Sequence, residues 1–149
     1  MLDSIPGSGR VTIPDVSSGY RIWSAYTTGG FGEAYHAARP APPEALLQLL
    51  CRLARVERPR LVVDVGSGTG LSTRAWAQLA DEVVGVEPNP EMRATAGADT
   101  AFHNVRYVEG YSDAIGLPDD CADLVTYSQS LHWMEPQPTF REAVRILRP

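Results

Sequence analysis

Apolar and polar positions fall into blocks that read alternately as helices and buried strands. After Pro43, Leu46, Leu49, Leu50 and Leu53 recur at spacings of three and four, which predicts a helix with one apolar stripe. Glu44 in its first turn and Arg52 and Arg55 near its end suit the helix dipole. Pro59 ends the connection. Leu61-Val62-Val63-Asp64-Val65 is then a short β-branched run, the pattern of a parallel strand buried on both faces. Leu71, Ala75, Trp76 and Leu79 mark the apolar face of a second helix. Val83-Val84-Gly85-Val86 predicts a second strand, with Glu87 at its end. Asn89 suits an N-cap and Pro90 the first helical position. Val105–Val108 reads as a third strand, and Asp123 opens a fourth over Leu124–Tyr127. Phe140, Ala143, Val144 and Leu147 give a last amphipathic helix, which ends in Arg145, Arg148 and Pro149. Strands alternating with helices predict an α/β chain with a doubly wound parallel sheet.

The chemistry concentrates where the first strand breaks. Gly66, Gly68 and Gly70 admit backbone angles closed to other residues and leave room for a ligand against the main chain. A loop between a strand end and a helix start is where a nucleotide-like ligand docks in such a sheet. A dinucleotide fingerprint requires G-x-G-x-x-G. Here the spacing is G-x-G-x-G, with Leu71 in the place of the third glycine. Asp64 precedes the loop, and Glu87 ends the next strand, where a carboxylate can accept from both hydroxyls of a ribose.

V-D-V-G-S-G-T-G … V-G-V-E-P resembles the class I S-adenosylmethionine-dependent methyltransferases, in their small-molecule, methyltransferase type 11-like branch. Phe31 to Pro43 resembles that branch's F-x-x-x-Y-x-x-x-R-P-x-x-P lead-in, Ile115 to Asp123 its L-P-F-P-D-x-x-F-D, and Ser128 to Trp133 its x-x-x-L-H-W. The resemblance implies a Rossmann-like three-layer α/β/α sandwich with parallel strand order 3-2-1-4 and S-adenosylmethionine as cofactor. It places Gly66, Ser67, Gly68, Gly70, Glu87 and Pro88 around the cofactor. Asp64 orders the loop or meets the methionine ammonium. Tyr35 and Arg39 share a helix face, and Arg39 either pairs with the methionine carboxylate or is simply exposed. Met92 lies against adenine or serves as a helix core residue. Tyr111 replaces a common acid in the adenine loop, where Ser112 and Asp113 supply a backbone donor and an acceptor. Ser128 lines the cofactor near the transferred methyl. His132 is the candidate base; the alternative is that His132 and Trp133 only wall the pocket.

The implied function is methyl transfer to a small-molecule acceptor. Two other readings stand beside it: a catalytically silent methyltransferase-like binding or partner module, and a dinucleotide-binding oxidoreductase. Relatives continue beyond L-R-P with further strands, whereas this sequence ends at Pro149. The expectation is an open edge at the fourth strand: either the sequence is a fragment, or a second copy, a partner chain or the N-terminal arm covers the edge, or the chain has changed role.

Composition narrows the partners. The 149 residues suit one domain, read as an N-terminal arm over 1–32 and a cofactor-binding domain over 33–149. The arm carries Tyr20, Ile22, Trp23, Tyr26 and Phe31, which is too apolar for a free tail. Thirteen Lys and Arg against 18 Asp and Glu give a net charge of −5, which speaks against a nucleic-acid partner. No run is long enough to span a membrane, and no signal peptide is evident, so a cytoplasmic protein is expected. Cys51 and Cys121 read as buried reduced thiols within predicted elements. His36 and His103 lack partners at metal-ligand spacing, so no metal is expected.

Overall fold

The computed structural model describes residues 40–149. The arm, Tyr35 and Arg39 lie outside the described residues. Within them the order is α1 (Glu44–Leu53), β1 (Leu61–Val65), α2 (Leu71–Ala75), β2 (Glu82–Val86), α3 (Pro90–Ala98), β3 (Val105–Val108), β4 (Leu124–Thr126) and α4 (Pro136–Ile146), with a 3-10 turn at Leu131–Trp133. All pairings are parallel and the strand order is β3-β2-β1-β4, the expected Rossmann-like arrangement. β1 sits between β2 and β4, with Asp64 opposite Gly85 on one side and Thr126 on the other.

Strand alternation sends side chains into two cores. Val63, Val65, Val84 and Val86 pack with Ile115, Ala122 and Ile146. Val62 and Val83 pack on the opposite face with Leu47, Cys51, Trp76 and Ala80. Helices therefore cover both faces, as the continuous apolar runs of β1 and β2 require.

The structure corrects the faces of two helices. In α1 the core side is Leu47 and Cys51, with Leu50 partly buried, whereas Leu46, Leu49 and Leu53 are exposed. Leucine occupies most sides of α1, so the sequence period admits two adjacent stripes. The sheet takes the one that meets Val62, Trp76, Ala80 and Val83. In α4, Thr139, Ala143 and Ile146 are buried, while Phe140 and Val144 face outward. Leu147 caps that helix and bridges to Ala122. Cys121 is also corrected: it is only partly buried and lies in a connection rather than an element. Both cysteines are free thiols, and burial pushes both up in pKa.

Two local signals hold. Asn89 caps α3, its side chain accepting from the Glu91 and Met92 amides with Pro90 at the first position. Asp123, immediately before β4, accepts from the amides of Arg60 (2.5 Å) and Leu61 (3.0 Å) and from Arg148 (2.5 Å). It staples the start of β1 to β4 and to the chain end. Burial pushes its carboxyl up, but the Leu61 amide, the Arg148 guanidinium and the Arg60 amide outweigh this and hold it below the usual range. Among the described residues no helix is long and apolar enough to cross a membrane.

Two predictions follow from packing and charge. Leu47, 3% exposed, should cost about 2–5 kcal/mol when replaced by alanine. Leu53, 71% exposed, should change stability by about 0.5 kcal/mol or less. Equal losses in urea denaturation would mean that the other stripe faces the sheet. For Asp123→Ala we expect a loss of roughly 1–3 kcal/mol at neutral pH. A lowered native pKa stabilises above the unfolded value of about 3.9 and is lost as pH falls through the native one. The gap from wild type in denaturant melts should therefore close with acidity; a gap constant down to pH 3 would contradict the staple.

Candidate functional site

β1 ends where the backbone turns left-handed. Gly66, Gly68 and Gly70 have φ of 73°, 55° and 82°. The amides of Gly66 and Ser67 both donate to the Val86 carbonyl, at 2.8 and 3.1 Å, and the Gly70 amide donates to Ser67 at 2.9 Å. These bonds fold the loop against the end of β2. Among the described residues, a Cβ on Gly68 would have only the Met92 sulfur near it, at 4.0 Å, so none of them covers the loop there. Gly70 serves packing instead, since a Cβ would lie 2.1 Å from the Tyr107 hydroxyl. Gly85 serves the same ring, with its Cβ position 2.5 Å from Tyr107. Tyr107 is held by Thr100 at 3.0 Å and braces the loop from β3. Reading β3 as a plain strand missed this role; the glycine opposite it at 85 was the available signal.

Two buried carboxylates order the site. Asp64 accepts from the hydroxyls of Ser72 (2.5 Å), Thr73 (2.7 Å) and Thr126 (2.9 Å) and from the Ser128 amide. These bonds tie it to the first turn of α2, to β4 and to the segment after β4. Burial pushes its pKa up, and these donors pull against that. Glu87 is also fully buried. One of its carboxylate oxygens accepts from the Gly68 amide and the other from the Asn89 amide, each at 2.9 Å. Burial raises its pKa, opposed by the Asn89 and Gly68 amides and by the charge of Arg93.

A cavity of about 10 Å³ lies beside Glu87, lined by Val65, Gly66, Pro88, Gly110, Ser112, Ser130, Trp133 and Met134. Of the site residues expected from sequence, it gathers Gly66, Glu87, Pro88 and Ser112. Gly68 adjoins through Glu87, and Met92 lies beside Gly68. Ser67 is buried below the loop, and its hydroxyl has no hydrogen-bond partner among the described residues. The Ser112 hydroxyl meets Thr139 at 2.8 Å, while Tyr111 and Asp113 are exposed. Ser128 is off the wall and holds Asp64 through its amide; Ser130, two residues on, takes the wall position. His132 is exposed and lies against Trp133, with ring centroids 4.7 Å apart. Trp133, which the sequence offers with His132 as pocket wall, lines the cavity. Ser130 and Met134 were not singled out from sequence, because a segment without periodicity carries no signal of which side chains turn inward. No cluster of three metal-ligating side chains occurs among the described residues.

The donor set fits a nucleoside carrying a vicinal diol. The Glu87 carboxylate uses one acceptor position on each oxygen and has others to offer. Gly68 leaves the main chain open beside it. The volume is another matter, because a ligand of that size needs roughly 300 Å³ or more.

Residues 63–149, more than half of the chain, match a family described as a methyltransferase domain. An uncharacterized methyltransferase of Mycobacterium tuberculosis is 37% identical over 117 residues, which cover 78% of this chain and 45% of that protein. The 2-methyl-6-phytyl-1,4-hydroquinone methyltransferase of spinach is 35% identical over 94 residues, covering 61% and 27% respectively. Among solved structures, an S-adenosylmethionine-dependent methyltransferase from Mesorhizobium loti superposes with a TM-score of 0.57 at 30% identity, covering 68% of this chain and 48% of that one. The chain thus spans about half the length of the first of these relatives.

Proposed function

The chain belongs to the methyltransferase domain family, and from that premise we propose that it binds S-adenosylmethionine at the carboxyl-terminal ends of β1 and β2. We further propose that the protein containing it passes the methyl group to a small-molecule acceptor. The observation that carries this reading is Glu87: a fully buried carboxylate held on the Gly68 amide, where the glycine loop meets the end of β2. The Arg93 guanidinium donates to the Glu87 backbone carbonyl, and the carboxylate keeps acceptor positions beyond its two amide partners among the described residues, which suits a ligand whose hydroxyls will use it. The Mesorhizobium structure, an S-adenosylmethionine-dependent enzyme, supports the cofactor. The spinach enzyme, whose name gives a hydroquinone as its substrate, supports the acceptor class. The family match does not favour a dinucleotide oxidoreductase.

When bound, the cofactor supplies a methyl carbon on a positively charged sulfur, already activated for in-line displacement. The chain's own residues bind, orient and exclude water. Glu87 accepts from the ribose hydroxyls, and Gly68 leaves the main chain accessible, while Gly66 lets Ser130 and Met134 pack on the loop. Asp64 keeps the loop in shape. Met92, Tyr111, Ser112 and Asp113 address the adenine side, and Arg39 and Tyr35 the methionine side. His132, exposed in the 3-10 turn after β4, takes a proton from the acceptor. β4, an edge among the described strands, pairs with a further strand from a second copy or another segment. The free thiols suit a reducing compartment such as the cytoplasm.

Glu87→Ala should weaken S-adenosylhomocysteine binding by about 1–3 kcal/mol in calorimetry. An unchanged dissociation constant would remove the ribose role. For His132→Ala, turnover should fall roughly a hundredfold or more with cofactor affinity intact. The reverse, weaker affinity with normal turnover, would make it a pocket wall.

A further inference from the structure

Glu87 is held from outside its own loop by one side chain of α3. The Arg93 guanidinium donates through one terminal nitrogen to the Glu87 carbonyl at 2.6 Å and through the other to the Glu109 carboxylate at 3.0 Å. The Arg93 side chain is only 18% exposed, against 68% for Glu109. An ion pair to so exposed an acid contributes little by itself. The bond to the Glu87 carbonyl is placed where it matters more. At the ends of β2 and β3 the Glu87 amide donates to the Val108 carbonyl at 3.1 Å. Arg93 adds a second tie between the same two strand ends, from the Glu87 carbonyl to Glu109. Gly110 to Asp113, the loop read above as the adenine side, begins at the next residue.

Arg93 also closes a ring of bonds on Glu87. The Glu87 carboxylate accepts from the Asn89 amide at 2.9 Å, and the Asn89 carbonyl accepts from the Arg93 amide at 3.1 Å. The Arg93 side chain then returns to the Glu87 carbonyl. A planar fork reaches both strand ends at once, which the compact ammonium of a lysine does not reproduce. Charge adds to geometry. Burial opposes ionisation of Glu87, while the Asn89 and Gly68 amides and the charge of Arg93 favour it. The other charged or titratable groups on the surrounding elements are engaged elsewhere or exposed. Asp64 is turned to Ser72, Thr73 and Thr126, and Arg74 donates to the Thr69 carbonyl. Glu91 and His132 are exposed. Among the described residues, Arg93 is therefore the charged side chain that acts on Glu87.

We propose that Arg93 is a positioning residue for cofactor binding: it fixes Glu87 relative to the loop after β3, and its positive charge supports the Glu87 carboxylate as an acceptor for the ribose diol. This role rests on the cofactor reading given above. An ionised carboxylate accepts from both hydroxyls, whereas a protonated one gives up part of that capacity. Affinity therefore falls as pH drops through the Glu87 pKa. Without the Arg93 charge, that fall begins at a higher pH.

Calorimetry on the full chain with S-adenosylhomocysteine, over about pH 5 to 9, tests this. At neutral pH, Arg93→Met should bind roughly 5- to 30-fold more weakly than wild type. Its loss of affinity toward acid should set in at a higher pH. Arg93→Lys keeps the charge without the fork, so its affinity should lie between the two and its acid loss near that of wild type. In a Glu87→Gln background, which has no carboxyl to titrate, Arg93→Met should no longer move the pH profile. If wild type binds and Arg93→Met matches it in affinity, the role is overturned and the cofactor reading stands. Weaker binding with an unmoved acid loss marks a merely structural residue and also overturns the role. If Arg93→Met does not fold, Arg93→Lys decides: weaker binding than wild type supports the role, and equal binding overturns it. No binding by wild type at any pH overturns the cofactor reading and this role with it.

Discussion

The described fold depends on one buried carboxylate. Asp64 lies in the central strand with no access to water, and its two oxygens receive the hydroxyls of Ser72, Thr73 and Thr126 and the amide of Ser128. A carboxylate is the side chain that can do this, since it only accepts and offers about four lone-pair positions. Its donors come from the first turn of α2, from β4 and from the segment after β4. One residue therefore sets the relative position of β1, the helix behind the glycine loop and the segment after β4. Burying the charge is unfavourable, and it persists because every approach is a hydrogen-bond donor.

The glycine loop serves two demands at different positions. Gly68 is open and faces where a ligand can lie, whereas Gly70 and Gly85 make room for the Tyr107 ring. The same G-x-G-x-G spacing thus encodes both access and packing. Tyr107 reaches from the outer strand β3 across β2, which links the edge of the sheet to the start of α2.

Glu87 and the segment after β4 are tied to the glycine loop by separate bonds. The Glu87 carboxylate accepts from the Gly68 and Asn89 amides, and the Ser130 hydroxyl donates to the Val65 carbonyl. Each bond offsets part of the cost of burying a polar group beside the loop.

How much was legible follows from which interactions are local. The four strands, the Asn89 cap, the glycine loop, the acid at the end of β2 and the strand order expected from the family resemblance all appear in the structure, because strand period, cap chemistry and left-handed glycine angles belong to a few consecutive residues. The faces of α1 and α4 were not legible. Leu46 and Leu47 are equally apolar, and only the position of Val62, Trp76 and Val83 in space decides that Leu47 turns inward. The hydrogen bond of Thr126 to Asp64 likewise joins residues 62 positions apart along the chain. Ser130 rather than Ser128 lines the cavity because the segment after β4 crosses Gly66, a contact that no spacing records. Sequence by itself determined backbone period, turn chemistry and the residue types at the strand ends. Only tertiary structure decided which side chains meet, because burial and hydrogen bonding are set by neighbours that the chain brings together from a distance.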